Sequence, residues 1–183
     1  MVLIIDKGFA RAVELVLAHE GGFSANKADR GGATKYGISL RFLKTLPDGD
    51  INRDGDIDAE DVSQLTRDQA IDFYWREFWN KHHYDQIMDW HIAAKIFDMA
   101  VNMGPQRAHR LLQQGILACG KKVVVDGKLG PQTLRAVNST SRESLLPVLR
   151  AEAAGFYRAI VLLDPSQRVF LGGWLRRAYA SII

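Results

Sequence analysis

Apolar residues recur at helical spacing along almost the whole chain, and that period leaves little room for anything but a helical globule. At about 100° per residue, Phe9, Val13, Val16 and Leu17 form one stripe, with Lys7, Arg11, Glu14 and Ala18 opposite. Ile92, Ala93, Ile96, Phe97, Ala100 and Val101 repeat the pattern over 91–103, closed by Gly104-Pro105. Thr66 and Gln69 form a capping box ahead of a helix carrying Ile71, Phe73, Tyr74, Trp75, Phe78 and Trp79. Ser39 reads as the N-cap of a short helix through Leu46, which Pro47 ends. Further helices are predicted over 106–117, from Pro131, over 143–163 and over 165–180. Val123-Val124-Val125 is the best strand candidate, before an Asp126-Gly127 turn. The expectation is an all-α fold with one minor β turn region and no internal repeat.

With 183 residues, 47% of them hydrophobic, the chain has enough apolar mass for a real core. Its net charge of +3 and pI near 9.1 suit a polyanionic polymer such as a bacterial cell wall. No basic run interleaved with aromatics points to nucleic acid. Cys119 is the sole cysteine, so an internal disulfide is impossible, and it is expected to pack as a small apolar residue. The first residues lack the basic, apolar and cleavage regions of a signal peptide. No stretch approaches the ~18–20 apolar residues of a membrane span. The chain is therefore expected to be a monomer made in the cytoplasm without an integral membrane segment. Action on the wall would need holin-type or other export.

Glu20 ends the first stripe. It lies eleven residues after Phe9, hence roughly 20° from it, and Gly21-Gly22 follow as a helix stop. Partial burial and the negative end of the helix dipole both favour a protonated carboxyl, which a general acid at neutral pH requires. The same position also admits a structural carboxylate paired with Arg or Lys.

Residues 50–61 match the calcium-loop pattern. Oxygen side chains of Asp50, Asn52, Asp54, Asp58 and Asp61 fall at loop positions 1, 3, 5, 9 and 12, with Gly55 at the sharp turn. Ile57 anchors the loop, and Asp56 supplies its backbone carbonyl. Asp61 stands where the bidentate Glu is usual, as it does in the dockerin modules that this loop resembles. A structural calcium is the expected ion. The other reading is a solvated acidic loop capping the next helix. The adjacent pair His82-His83 is a weak metal signal.

The run His19-Glu20-Gly21-Gly22-Phe23-Ser24, followed by Asp29-Arg30-Gly31-Gly32-Ala33-Thr34-Lys35-Tyr36-Gly37-Ile38-Ser39, resembles the signature of glycoside hydrolase family 108, the N-acetylmuramidases that include phage endolysins and secretion-associated muramidases. Phe23 replaces the Tyr of the family's Glu-Gly-Gly-Tyr. Phe97-Asp98-Met99-Ala100-Val101-Asn102-Met103-Gly104, Asp126 to Thr133, and Gly173-Trp174-Leu175-Arg176-Arg177 resemble the peptidoglycan-binding-like region found with it. The resemblance implies a lysozyme-like helical fold. A muramidase region over 1–95 and a peptidoglycan-binding-like region over 96–183 would pack as one globule.

It also implies roles. Glu20 would protonate the leaving glycosidic oxygen of peptidoglycan between N-acetylmuramic acid and N-acetylglucosamine, through an oxocarbenium-like transition state. Asp29 is the candidate base, or else an Asx-turn residue. Thr34 would hold water or a sugar hydroxyl, or cap the chain. Tyr36 would face a sugar or the core. Asp98 and Asn102 share a helix face, and they either line the cleft or form a polar pair bracing the first helix. Trp75 and Trp79 read as core. No organic cofactor is implied. A lytic transglycosylase and a non-catalytic wall-binding or secretion-accessory protein are the competing functions.

Overall fold

The structure is a computed structural model that describes residues 6–19 and 32–182. Asp6 starts α1 (Lys7–His19): its carboxylate accepts the Gly8 N–H at 2.8 Å and the Trp79 indole N–H at 3.1 Å. The expected stripe is the observed one. Phe9, Val13 and Val16 are buried and Leu17 half-buried, while Lys7, Arg11, Glu14 and Ala18 face solvent.

A two-stranded hairpin follows, β1 (Thr34–Lys35) paired antiparallel with β2 (Ile38–Ser39). Ser39 caps α2 (Leu40–Leu43), which stops three residues before the expected Leu46. After the acidic loop come α3 (Ala59–Gln64) and α4 (Arg67–Tyr74), the latter opened by the Thr66–Gln69 capping box. α4 runs into a π-helical turn, Trp75–Asn80, and a 3₁₀ turn at Tyr84–Gln86.

The chain's centre is α5 (Trp90–Met103), packed against α1, α6 (Pro105–Ala118) and α8 (Arg142–Leu163). Ile92 through Ala100 are all buried. Ala93, Ala94 and Ala100 let neighbouring helices approach closely. Phe97 is the hub of an aromatic cluster, within 6.4 Å centroid to centroid of Phe9, Tyr74, Phe78, Trp79 and Tyr84. Trp79 is core, as its spacing predicts, and Trp75 packs half-buried edge-on to Phe9. α7 (Pro131–Asn138) and α9 (Arg168–Tyr179) complete the fold, with α9 lying along α8.

The architecture is all-α, as expected, but the β turn region lies elsewhere. Val123–Val125 form no strand. No second strand adjoins them among the described residues, and Val124 and Val125 are exposed. The loop is fixed instead by α6. Gln113, fully buried, accepts the Gly127 N–H at 2.8 Å and donates to Asp126, to the Lys128 carbonyl and to Thr133 at 2.8–3.1 Å. Cys119 caps the end of α6, half-buried against the core.

Asp98 does not brace α1. Its carboxylate accepts the Arg177 Nε–H at 2.8 Å and lies 3.6 Å from the Lys95 ammonium, tying α5 to α9. Burial pushes the Lys95 ammonium down from its usual range, and Asp98 opposes that. No helix among the described residues is long and apolar enough to cross a membrane.

Candidate functional site

α1 ends at His19, so its last turn leads directly to Glu20. Glu20 and Asp29 lie outside the described residues. What is described is the frame on either side of them.

On the C-terminal side the frame is the hairpin. Its turn, Tyr36-Gly37, has φ of 53° and 77°, the handedness that matches the twist of paired strands. Gly37 takes this conformation freely, but Tyr36 has a Cβ, and the left-handed region costs roughly 1–2 kcal/mol. Two contacts hold it there. The Tyr74 hydroxyl donates to the Tyr36 carbonyl at 2.8 Å, and Lys35 Nζ donates to the Ser63 carbonyl at 2.6 Å. The Lys35 ammonium also lies 5.5 Å from the Tyr36 ring centroid. The half-buried Tyr36 ring is therefore presented by a strained, doubly anchored turn, an arrangement that recurs at ligand-binding positions. Thr34 is half-buried, and its hydroxyl reaches the Gly32 carbonyl at 3.4 Å. Asn102 sits exposed near the end of α5, and its Oδ1 accepts the Tyr157 hydroxyl at 2.7 Å.

The acidic loop is wound by its own side chains. Asp50 accepts the N–H groups of Asp54 and Gly55, Asn52 that of Asp54, and Asp54 that of Asp56, at 3.0–3.2 Å. Arg53 and Gly55 have φ of 63° and 102°. Asp61 is fully buried: one carboxylate oxygen accepts the Ile51 and Asn52 N–H groups, and the other accepts that of Asp58. Burial disfavours its charge, but the N–H groups of Asp58, Asn52 and Ile51 outweigh this and hold its carboxyl below the usual carboxylate range. Asp56 is pushed up, first by the Asp54 carboxylate and then by slight burial, Asp58, Asp61 and Asp50. Carboxylate oxygens of Asp56, Asp58 and Asp61 lie within 4.8 Å of one another. This all-oxygen donor set has the chemistry a hard divalent cation requires. Asp56 brings its side chain to the group, where its backbone carbonyl was the expected ligand.

The histidine pair does not act together. His83 is exposed in a left-handed conformation. His82 packs on His109, and burial followed by the His109 charge pushes it down to about 4. His109 spends both ring nitrogens on the Tyr84 hydroxyl and the Gly127 carbonyl, at 2.9 and 3.1 Å.

Residues 13–104, from the second turn of α1 to the end of α5, match the model of the family described as Glycosyl hydrolase 108. The chain belongs to this family. As a glycosyl hydrolase 108 member it is a glycoside hydrolase. Residues 107–179 match a second model, Predicted Peptidoglycan domain, which makes peptidoglycan its substrate polymer. Among solved structures the chain is similar to that of Brucella abortus SagA, at 26% identity over 94% of both chains with a TM-score of 0.71. Comparison with curated proteins gives no match.

Proposed function

We propose that this glycosyl hydrolase 108 protein is an N-acetylmuramidase, cleaving the β-1,4 bond between N-acetylmuramic acid and N-acetylglucosamine on a lysozyme-like helical scaffold. The observation that carries the reading is positional. The matched family segment begins inside α1, whose buried stripe runs to the turn immediately before Glu20. Glu20 is the general acid: its proton goes to the glycosidic oxygen as the C1–O bond breaks, and the positive charge spreads over C1 and the ring oxygen. Water then adds at C1 and gives its proton to a carboxylate, for which Asp29 is the candidate. Thr34 and Tyr36 bind sugar from the hairpin, and Asn102 binds it from the end of α5.

In the same reading the acidic loop holds calcium through Asp50, Asn52, Asp54, Asp56, Asp58 and Asp61. Its role is structural, because the same loop carries the Asp58–Asp61 capping box that starts α3.

The test is Glu20→Gln, assayed by release of reducing ends from purified peptidoglycan. A loss of at least about 10²-fold is expected, the scale of a positioned general acid. A normal rate would remove Glu20 from the mechanism. Mass analysis of the wild-type products separates hydrolysis from a lytic transglycosylase reaction, which leaves 1,6-anhydro ends.

A further inference from the structure

A groove of about 300 Å³ lies at the corner between α5 and α6, where the two family segments meet. Its lining is Met103, Gly104, Pro105, Gln106, Arg107 and Arg110, with no carboxylate among them. Gly104 has φ of 85° and open space where a Cβ would stand, which leaves the floor clear. The Arg107 guanidinium lies 5.0 Å from the Phe156 ring centroid. Stacking of this kind orients the planar fork and leaves its N–H donors unused. Neither Arg107 nor Arg110 has a carboxylate partner among the described residues, so both forks face the groove without an ion pair to break.

The chain leads into this groove from Asn102, whose amide oxygen is fixed by Tyr157. Tyr157 in turn stacks on Trp174, at 5.4 Å and 21° between planes. Tyr157 is buried, so it steadies Asn102 from behind, and the corner sets two forked cations beside a fixed polar group.

We propose that this corner is a subsite for the carboxylates of peptidoglycan stem peptides, read by Arg107 and Arg110. The proposal rests on the muramidase reading and deepens it. The glycan backbone of peptidoglycan is uncharged, and its negative charge sits on the peptides attached to every second sugar. A guanidinium fork matches a carboxylate with two parallel hydrogen bonds. Residues of the second family segment therefore select peptide-bearing strands over bare glycan.

The experiment compares two substrates: sacculi free of teichoic polymers, and the same glycan strands after an amidase has removed the peptides and the lactyl carboxylates it uncovers have been capped as neutral methylamides. For Arg107→Ala/Arg110→Ala, a KM at least about tenfold higher on sacculi is expected, the scale of one lost charge-assisted contact. KM on bare strands and kcat on both should be unchanged. Arg107→Lys/Arg110→Lys should recover part of the loss, because it keeps charge without the fork. Arg107→Gln/Arg110→Gln replaces the Ala variant if that one does not fold. An unchanged KM on sacculi, or an equal rise on both substrates, overturns the subsite. If the wild-type protein cleaves neither substrate, the muramidase reading fails on its own. Sedimentation with each polymer then tests the subsite separately, where preference for sacculi supports it and equal binding overturns it.

Discussion

Two largely irregular loops among the described residues are held by opposite means. The loop over 50–61 is wound by carboxylates within it, all close in sequence. The loop over 123–130 is held mainly from outside, by two neutral side chains of α6, Gln113 and His109, with one carboxylate of its own, Asp126, accepting the Lys128 N–H. The first is a concentration of like charge that tolerates solvent. The second is a buried polar clamp with every group matched to a partner. A charged loop answers to ions and acid, whereas a clamp answers to the loss of a single hydrogen-bonding side chain.

That contrast predicts its largest effect at Gln113. Gln113→Ala deletes a buried amide, strands the Gly127 N–H and removes the donor shared by Asp126, the Lys128 carbonyl and Thr133, so a loss of about 3 kcal/mol is expected in urea unfolding. A loss below about 1 kcal/mol would mean that the clamp is not what holds the second loop. Asp61→Ala comes next, at about 2 kcal/mol, because it strips three backbone N–H groups of their acceptor but leaves the rest of the first loop wound. If the two losses ranked the other way, internal carboxylates would be the stronger fastening.

Calcium should act on the first loop alone. At a hundredfold excess over its dissociation constant a ligand adds about 2.7 kcal/mol, or several degrees of melting temperature in a chain of this size, unless binding first has to release existing contacts. Asn52 already donates to Asp54 at 2.8 Å, and that contact would have to yield, so a rise of a few degrees, reversed by chelator, is expected. Asp61→Ala should abolish the rise and Gln113→Ala should not. No shift at millimolar calcium would leave the loop as an acidic cap of α3.

The same contrast explains what could be read in advance. The first loop was legible because its pattern is local. The second reads as a strand because three valines look alike in any extended segment, whereas what fixes it is supplied by Gln113 and His109, ten or more residues away. Helices were legible wherever one face is buried, as in α1, and α5 was recognised although it is buried almost all round. The Lys95–Asp98–Arg177 tie was not, since Arg177 reaches α5 from the last helix. In the candidate site, Thr34, Tyr36 and Asn102 were all nameable from motif. The strain at Tyr36 was not, because it depends on a turn type that needs both residues at positive φ. Arg107 and Arg110 carried no signal in sequence beyond their charge.

Acid provides the finest separation of the two loops. His109 must be neutral to accept the Tyr84 hydroxyl, and burial pushes it down; His82 beside it is held to about 4. In the unfolded chain a histidine takes its proton near 6.5. Between 6.5 and 4 the unfolded state therefore binds more protons, and stability falls as pH falls. Asp61 is pushed below the usual carboxylate range, so its contribution is still intact in that window and is lost only as pH drops through its lowered value. The raised Asp56 has the opposite sign and relieves the first loop slightly on acidification. Amide exchange should consequently quicken at Gly127 between pH 6.5 and 4, by a few-fold relative to the intrinsic rate, while Ile51 and Asn52 keep their protection. Both loops loosening together would mean that acid acts on the shared core, and that the neutral clamp is no more sensitive than the carboxylates it was contrasted with.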